Sequence, residues 1–386
     1  MPELWLKRRS WLRSAASLAM AGPLACLTTR PVQAATTPWP MWEEFKRSFM
    51  TQDGRIVSDD EKGGQTYSEG QAYALFFALA ANDRPTFELL LQWTENNLCA
   101  GDLSTALPAW LWGKKPDGSW GPLDTNAASD ADLWIVYLLA EAGRLWNDRR
   151  YRAMASVMSA LLLDKETDDL PGLGPTLLPG PQGFKLGEGQ WRLNPSYVPL
   201  QVLDCLAQAL PRHPRWKALR ASSLRLTVDT APKGISPDWV IYDTKWGFLR
   251  DTDKDKAMGA YNAIRVYLWA GMLHPEAAAR AQVLTALRPM ARLVRDTGRP
   301  PERIDPMSGE STGVAPSGFS AAMLPFLRAQ GDEEAVQAQQ ARIQDQPLRP
   351  TAYYEQCLAL FGLGWMQQQF RFGRLGEFQP RWITQP

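Results

Sequence analysis

From residue 39 onward, apolar side chains recur at helical spacing, and two kinds of segment alternate along the chain. Apolar runs begin at Ser68, at Ser129, at Ser196, near Tyr261-Asn262, between Ser317 and Ser320, and at Thr351, with Ala, Leu, Tyr and Trp at i, i+3, i+4 and i+7. More polar, amphipathic segments lie between them at about 84–97, 149–164, 213–229, 276–296 and 332–344, and one more near 39–50. A helix apolar all round must be buried, whereas one with a wetted face lies outside. Six of one kind alternating with six of the other is what a closed ring of helical hairpins requires. The pattern therefore predicts an all-α fold, an (α/α)6 barrel of six inner and six outer helices, in which the repetition is architectural and carries no sequence identity. No linker or low-complexity stretch interrupts it, so residues 35–386 read as one domain. Gly and Pro concentrate in the connections 99–127, 171–195, 231–260 and 297–318, which are too long to be simple turns. They are expected to gather over the N-termini of the inner helices and form a cleft there.

Composition narrows what that cleft can hold. A net charge of +1, 22% charged residues and two histidines argue against a nucleic-acid surface and against a disordered tail. Seventeen tryptophans are the outlier, and most belong to core packing. Those in Trp110-Leu111-Trp112-Gly113 and Ser119-Trp120-Gly121 lie in loop chemistry, where flat indoles can stack on sugar faces. The N-terminus reads as an export signal over residues 1–34, twin-arginine-like in Lys7-Arg8-Arg9-Ser10, with an apolar stretch from Ala15 to Leu27 and a cleavage pattern at Val32-Gln33-Ala34. That stretch, broken by Gly22-Pro23, falls short of the roughly 20 apolar residues a spanning helix needs. The expected location is the periplasm or the outside, without stable membrane insertion. Loss of residues 1–34 removes five basic residues and one acid, a net +4, so the mature chain carries +1 minus 4, or −3. Of the four cysteines, Cys99, Cys205 and Cys357 then remain, and they read as buried small hydrophobes rather than disulfide or metal ligands.

The chemistry centres on Ser68-Glu69-Gly70-Gln71 and Ser129-Asp130-Ala131-Asp132, each with an acid at the start of an apolar helix. Two acids presented from helix ends into one cleft can divide proton donation and charge stabilisation between them, as glycoside hydrolysis requires. The competing structural reading is a pair of helix capping boxes, with Glu69 and Asp130 as first-turn acids favoured by the helix dipole. Gly70 is a poor helix former, and it would let a substrate approach Glu69 closely. The dipole lowers a carboxyl pKa at a helix N-terminus, whereas a general acid needs a raised one. Burial or a neighbouring ionised Asp130 supplies the opposing push. A metal or nucleotide-sugar role for Asp130-x-Asp132 has no strand or glycine context to support it. Asp251-x-Asp253-x-Asp255 lacks the glycine and the glutamate of a calcium loop, having Lys256 and Asn262 at those positions, and reads as a solvated acidic loop. His213 and His274 lie beside prolines without metal-ligand spacing. No cofactor and no metal is expected.

Ala128-Ser129-Asp130-Ala131-Asp132-Leu133-Trp134-Ile135-Val136 resembles the signature of glycoside hydrolase family 8. Thr66-Tyr67-Ser68-Glu69-Gly70-Gln71-Ala72-Tyr73, Leu107-Pro108-Ala109-Trp110-Leu111-Trp112-Gly113, Asn194-Pro195-Ser196-Tyr197 and Gly318-Phe319-Ser320-Ala321-Ala322-Met323-Leu324-Pro325 support the resemblance, which runs from about Trp39 to Trp382. It is nearest to the members encoded with bacterial cellulose synthases. The resemblance implies an (α/α)6 barrel that hydrolyses β-1,4-glucan with inversion, Glu69 as proton donor and Asp130 as the signature acid at the scissile sugar. By the same comparison Trp112, Trp120, Tyr197, Tyr261, Arg265 and Tyr353 contact substrate. The implied partners are the glucan chain and the cellulose synthase export complex, and the expected state is a monomer. Chitosan and xylan are the alternative substrates within the family. One departure stands out: in Tyr261-Asn262-Ala263-Ile264-Arg265 many members carry, at the second position, an aspartate that acts as base. The neutral amide of Asn262 cannot take a proton from water. Asp243, Asp251 or Asp130 supplies the base instead, or the chain is a weak hydrolase or a non-catalytic glucan-binding accessory protein.

Overall fold

The computed structural model describes residues 39–58 and 64–384; the export-signal expectation falls on residues outside these. The chain runs through α1 (Pro40–Phe49), β1 (Thr66–Tyr67), α2 (Ser68–Ala80), α3 (Arg84–Leu98), β2 (Ala109–Lys114), β3 (Trp120–Ala127), α4 (Ser129–Leu145), α5 (Arg149–Lys165), β4 (Thr167–Leu170) and β5 (Gly174–Leu177). It continues through β6 (Lys185–Gly187), β7 (Gln190–Leu193), α6 (Leu200–Ala209), α7 (Arg215–Asp229), β8 (Val240–Asp243), β9 (Gly247–Arg250), α8 (Ile264–Gly271) and α9 (Arg280–Thr297). After β10 (Pro301–Ile304) and β11 (Ser311–Val314) come α10 (Ser317–Ala329), α11 (Glu333–Asp345), α12 (Tyr353–Met366), β12 (Phe370–Phe372) and β13 (Phe378–Pro380).

Burial follows the alternation of the sequence. Every residue of α2 except Glu69 is buried, and α4 is buried without a break from Ser129 to Gly143. In α5, by contrast, burial picks out Tyr151, Ala155, Met158, Ser159 and Leu162, the single stripe of an outer helix. The apolar helices meet at their rings. Phe76 lies 5.4 Å from Trp134, Trp134 lies 5.3 Å from Trp269, and Trp269 lies 5.2 Å from Phe361. Phe361 returns to Phe76 at 4.8 Å, so α12 packs back onto α2. Two glycines permit the closest approaches. A Cβ at Gly271 would overlap the backbone of Phe326, and one at Gly362 would overlap the Ala321 carbonyl.

Helix starts differ from the sequence expectation at three places. Ser196 belongs to a short 3-10 turn and α6 begins at Leu200; α8 begins at Ile264, leaving Tyr261 and Asn262 in the turn before it; α12 begins at Tyr353 rather than Thr351. The long connections also hold strands. β1, β2 and β3 form one antiparallel sheet, β6 to β9 another, and β4–β5, β10–β11 and β12–β13 pair as hairpins. The last hairpin sets Phe370 and Phe378 against Phe76 at 4.8 and 4.9 Å, and the Tyr137 hydroxyl donates to the Gly376 carbonyl at 2.9 Å. It closes the core two turns below the helix starts that carry the acids. Among the described residues, no helix is long and apolar enough to cross a membrane.

Candidate active site

Side chains of α2, of the start of α4 and of the turn before α8 converge on one guanidinium. Arg265 is almost fully buried, and its Nη1 donates to Asp130 Oδ2 and to Tyr73 Oη, each at 2.7 Å, while Nη2 donates to Asn262 Oδ1 at 2.7 Å. The same guanidinium lies 5.5 Å from the Tyr197 ring. Four of the residues singled out in the sequence, Asp130, Tyr197, Asn262 and Arg265, are thus in one cluster. Tyr73 joins them although the sequence reading passed over it; it stands four residues after Glu69, on the same helix face, and that spacing was the available signal.

Neither serine caps its helix. The N-cap positions are Tyr67 and Ala128, without side-chain bonds, and Ser68 and Ser129 are already inside the first turn. Gln71 instead accepts from the Ile56 amide at 2.6 Å and donates to the Gly54 carbonyl at 3.1 Å, fastening the preceding loop. The capping-box reading of both motifs is therefore corrected. Gly70 is corrected as well: a Cβ there would meet Tyr353 Oη at 2.5 Å, so the glycine makes room for that ring rather than directly for substrate.

Glu69 is partly exposed at the cleft, and the Ser68 hydroxyl lies 3.4 Å from its Oε2. Burial of the carboxyl, then the charge of Asp130, push its pKa up to about 7 against the opposing helix amides, Arg265 and Ser68. Desolvation overrides the dipole here. Asp130 is also held above the ordinary carboxylate range by burial, with Arg265 pulling the other way. An ionised Asp130 makes Glu69 harder to ionise.

Asn262 is fastened on both sides. Its Oδ1 accepts from Arg265 and, at 3.2 Å, from Asn194 Nδ2, and its Nδ2 faces Asp238 Oδ2 at 3.5 Å. Asp238 in turn accepts the amides of Ala260, Asn262 and Ala263 at 2.8, 3.2 and 2.7 Å, and so caps the turn that enters α8. The two other acids named as bases are engaged elsewhere. Asp243 accepts from Gln190 and from the Lys245 and Trp246 amides, while Asp251 is bound by Arg192 at 2.7 and 3.0 Å. In the acidic loop Asp253 and Asp255 face solvent, as the sequence suggests, and carry surface ion pairs with Lys256 and Arg303, while Asp251 is buried against Arg192.

Aromatic walls surround the acids. β1 pairs with β2 so that Thr66 faces Trp112 and Tyr67 faces Leu111, which delivers a tryptophan hairpin beside Glu69. Trp120, 49% exposed, stacks at 5.2 Å on Trp112, 9% exposed, and the Arg55 guanidinium lies 4.8 and 4.5 Å from the two rings. Trp120 therefore offers the open face and Trp112 the support. Trp239 lies 5.9 Å from Tyr197 and stacks on Phe184 at 5.9 Å, an aromatic group that no sequence motif marked. Tyr67, Tyr261, Tyr353 and Tyr354 line, with Glu69, a cavity of about 460 Å³. Tyr261 is half-exposed and its hydroxyl donates to Glu302 Oε1 at 2.9 Å. Among the described residues no group of three His, Cys, Asp or Glu could hold a metal ion, and Cys99, Cys205 and Cys357 are free and buried.

Known proteins resemble the chain over nearly its whole length. The family model for Glycosyl hydrolases family 8 matches residues 16–368. An endoglucanase of Salmonella typhi is 46% identical over 360 residues, covering 93% of this chain and 95% of that protein. An endoglucanase of Escherichia coli strain K12 is 46% identical over 352 residues, 91% of this chain and 93% of the relative. The crystal structure of an endo-1,4-D-glucanase from Vibrio fischeri ES114 superposes with a TM-score of 0.82 at 44% identity, covering 90% of this chain and all of that one. A cluster of two acids and an arginine at three helix starts, with a match of this length, places the chain in glycosyl hydrolase family 8.

Proposed function

We propose that the chain is an endo-β-1,4-glucanase that cleaves cellulose with inversion, from an (α/α)6 barrel whose inner helices are α2, α4, α6, α8, α10 and α12. The observation that carries this reading is Glu69, a carboxyl raised to about 7 beside a buried Asp130–Arg265 pair. Glu69 protonates the glycosidic oxygen as the bond to the leaving sugar breaks. Asp130, fixed by Arg265, supplies negative charge to the oxocarbenium-like sugar. Trp120 and the Trp239–Phe184 stack hold neighbouring sugar rings. The relatives' names, endoglucanase and endo-1,4-D-glucanase, support the substrate class. The setting we assign is the periplasm or the outside, where the enzyme trims nascent cellulose beside its synthase.

Inversion needs a base on the far side of the sugar, and at Asn262 the side chain is an amide with its oxygen already accepting two N–H donors. We therefore assign Asn262 to holding the turn and orienting water, and expect slow turnover. Asn262→Asp should raise kcat about tenfold or more on carboxymethyl cellulose, since a positioned base contributes about 10²–10⁴-fold. An unchanged rate would show that another acid is the base. The same amide favours a second reading, a glucan-binding accessory protein without turnover. Pure wild-type protein that binds cello-oligosaccharides and releases no reducing ends would establish it. A panel of carboxymethyl cellulose, chitosan and xylan fixes the substrate, and the anomer of the first product fixes the stereochemistry.

A further inference from the structure

Directly behind Asp130, two further carboxyls face each other that neither proton donation nor sugar binding uses. Asp132, two residues further along α4, and Glu166, the residue that caps the end of α5, are both fully buried. No protein N–H or O–H group reaches any of their four oxygens. Their carboxyls lie within hydrogen-bonding reach of each other. Among the described residues no Lys, Arg or His pairs with either. Every other titratable group acting on them is an acid: Asp130 and Glu69 act on Asp132, Asp130 acts on Glu166, and the Cys99 thiol is the remaining neighbour. Two buried carboxylates in contact without a cation cannot both remain ionised, and a single retained proton turns their repulsion into a hydrogen bond.

The backbone places this pair at the turn that carries Asp130. The Ser129 amide donates to the Pro179 carbonyl at 3.0 Å, and the Leu178 amide donates to the Glu166 carbonyl at 2.8 Å. One residue, Glu166, thus anchors the 178–179 segment through its carbonyl and the first turn of α4 through its side chain. We propose that Asp132 and Glu166 share one proton and act as positioning residues, holding Asp130 at the floor of the cleft without adding a second full charge beside it. The inference rests on Asp130 being the active-site acid.

The sign of the pH dependence follows. In the fold the pair keeps one proton that a free carboxyl loses near pH 4, so its contribution to stability is complete below that range and declines as pH rises. The test is the thermal midpoint of the full chain from about pH 5 to about pH 9 for wild type, Asp132→Asn and Glu166→Gln. Each amide donates to the remaining carboxylate as the shared proton does, so the variants should gain on wild type by several degrees as pH rises. Differences that stay constant with pH would overturn the shared proton. For positioning, Asp132→Ala should lower kcat on carboxymethyl cellulose about tenfold or more with KM little changed, and Asp132→Asn should restore it. Equal losses in both variants would overturn positioning. If Asp132→Ala does not fold, Asp132→Asn and Glu166→Gln carry the test through their thermal curves. A wild type without turnover would remove the glucanase reading and leave those curves to decide the pair.

Discussion

Glu69 stands between opposing influences, and their balance sets how the site works. The helix start and Arg265 favour its ionised form; burial and the Asp130 charge favour the neutral one and prevail, with a pKa of about 7. A proton donor must be neutral to act, so kcat/KM should hold on the acid side and fall as pH rises through about 7, a profile measured by reducing-end release. A flat profile up to pH 9 or so would mean that Glu69 does not donate. Both acids were legible in the sequence because each follows a serine at a helix start. Arg265, Asn194 and Asp238 stand far apart in the chain, and only the fold reveals that they meet around Asn262. The mistaken capping boxes have a physical cause. Ser68 and Ser129 lie one position too far along, where the backbone is already helical and the hydroxyl cannot reach the amides it would cap.

At the scale of elements, the order of helices follows from apolar periodicity, and the outer helices begin and end within a few residues of where the pattern places them. The strands escaped notice because they are mostly two to four residues long and embedded in Gly and Pro loops, too short to display alternation. They matter for function: β1 to β3 carry Trp112 and Trp120, and β6 to β9 stiffen the connection that supplies Trp239. Close packing of α8 and α12 against α10 depends on Gly271 and Gly362. Gly362→Ala should lower stability by about 1–3 kcal/mol, read as a drop in thermal midpoint, because the added carbon presses on backbone rather than on a side chain that can turn away. A midpoint equal to wild type would contradict the contact between α10 and α12.

Across the whole molecule, one end collects the helix starts, the acids and the aromatic walls, while the other is closed by β12 and β13 against Phe76. Trp120→Ala should raise KM for cello-oligosaccharides about fivefold to tenfold, the equivalent of about 1 kcal/mol of stacking, with kcat little changed. Loss of kcat alone would show the indole to act at the reacting centre. All of this rests on Glu69 as the proton donor of a glucan-cleaving site. The most direct measurement is the rate of reducing-end release from carboxymethyl cellulose by purified wild type beside Glu69→Gln, each checked for folding. Turnover by wild type and a loss of about 10²–10⁴-fold in the variant is the expected result. Turnover undiminished in Glu69→Gln would contradict it.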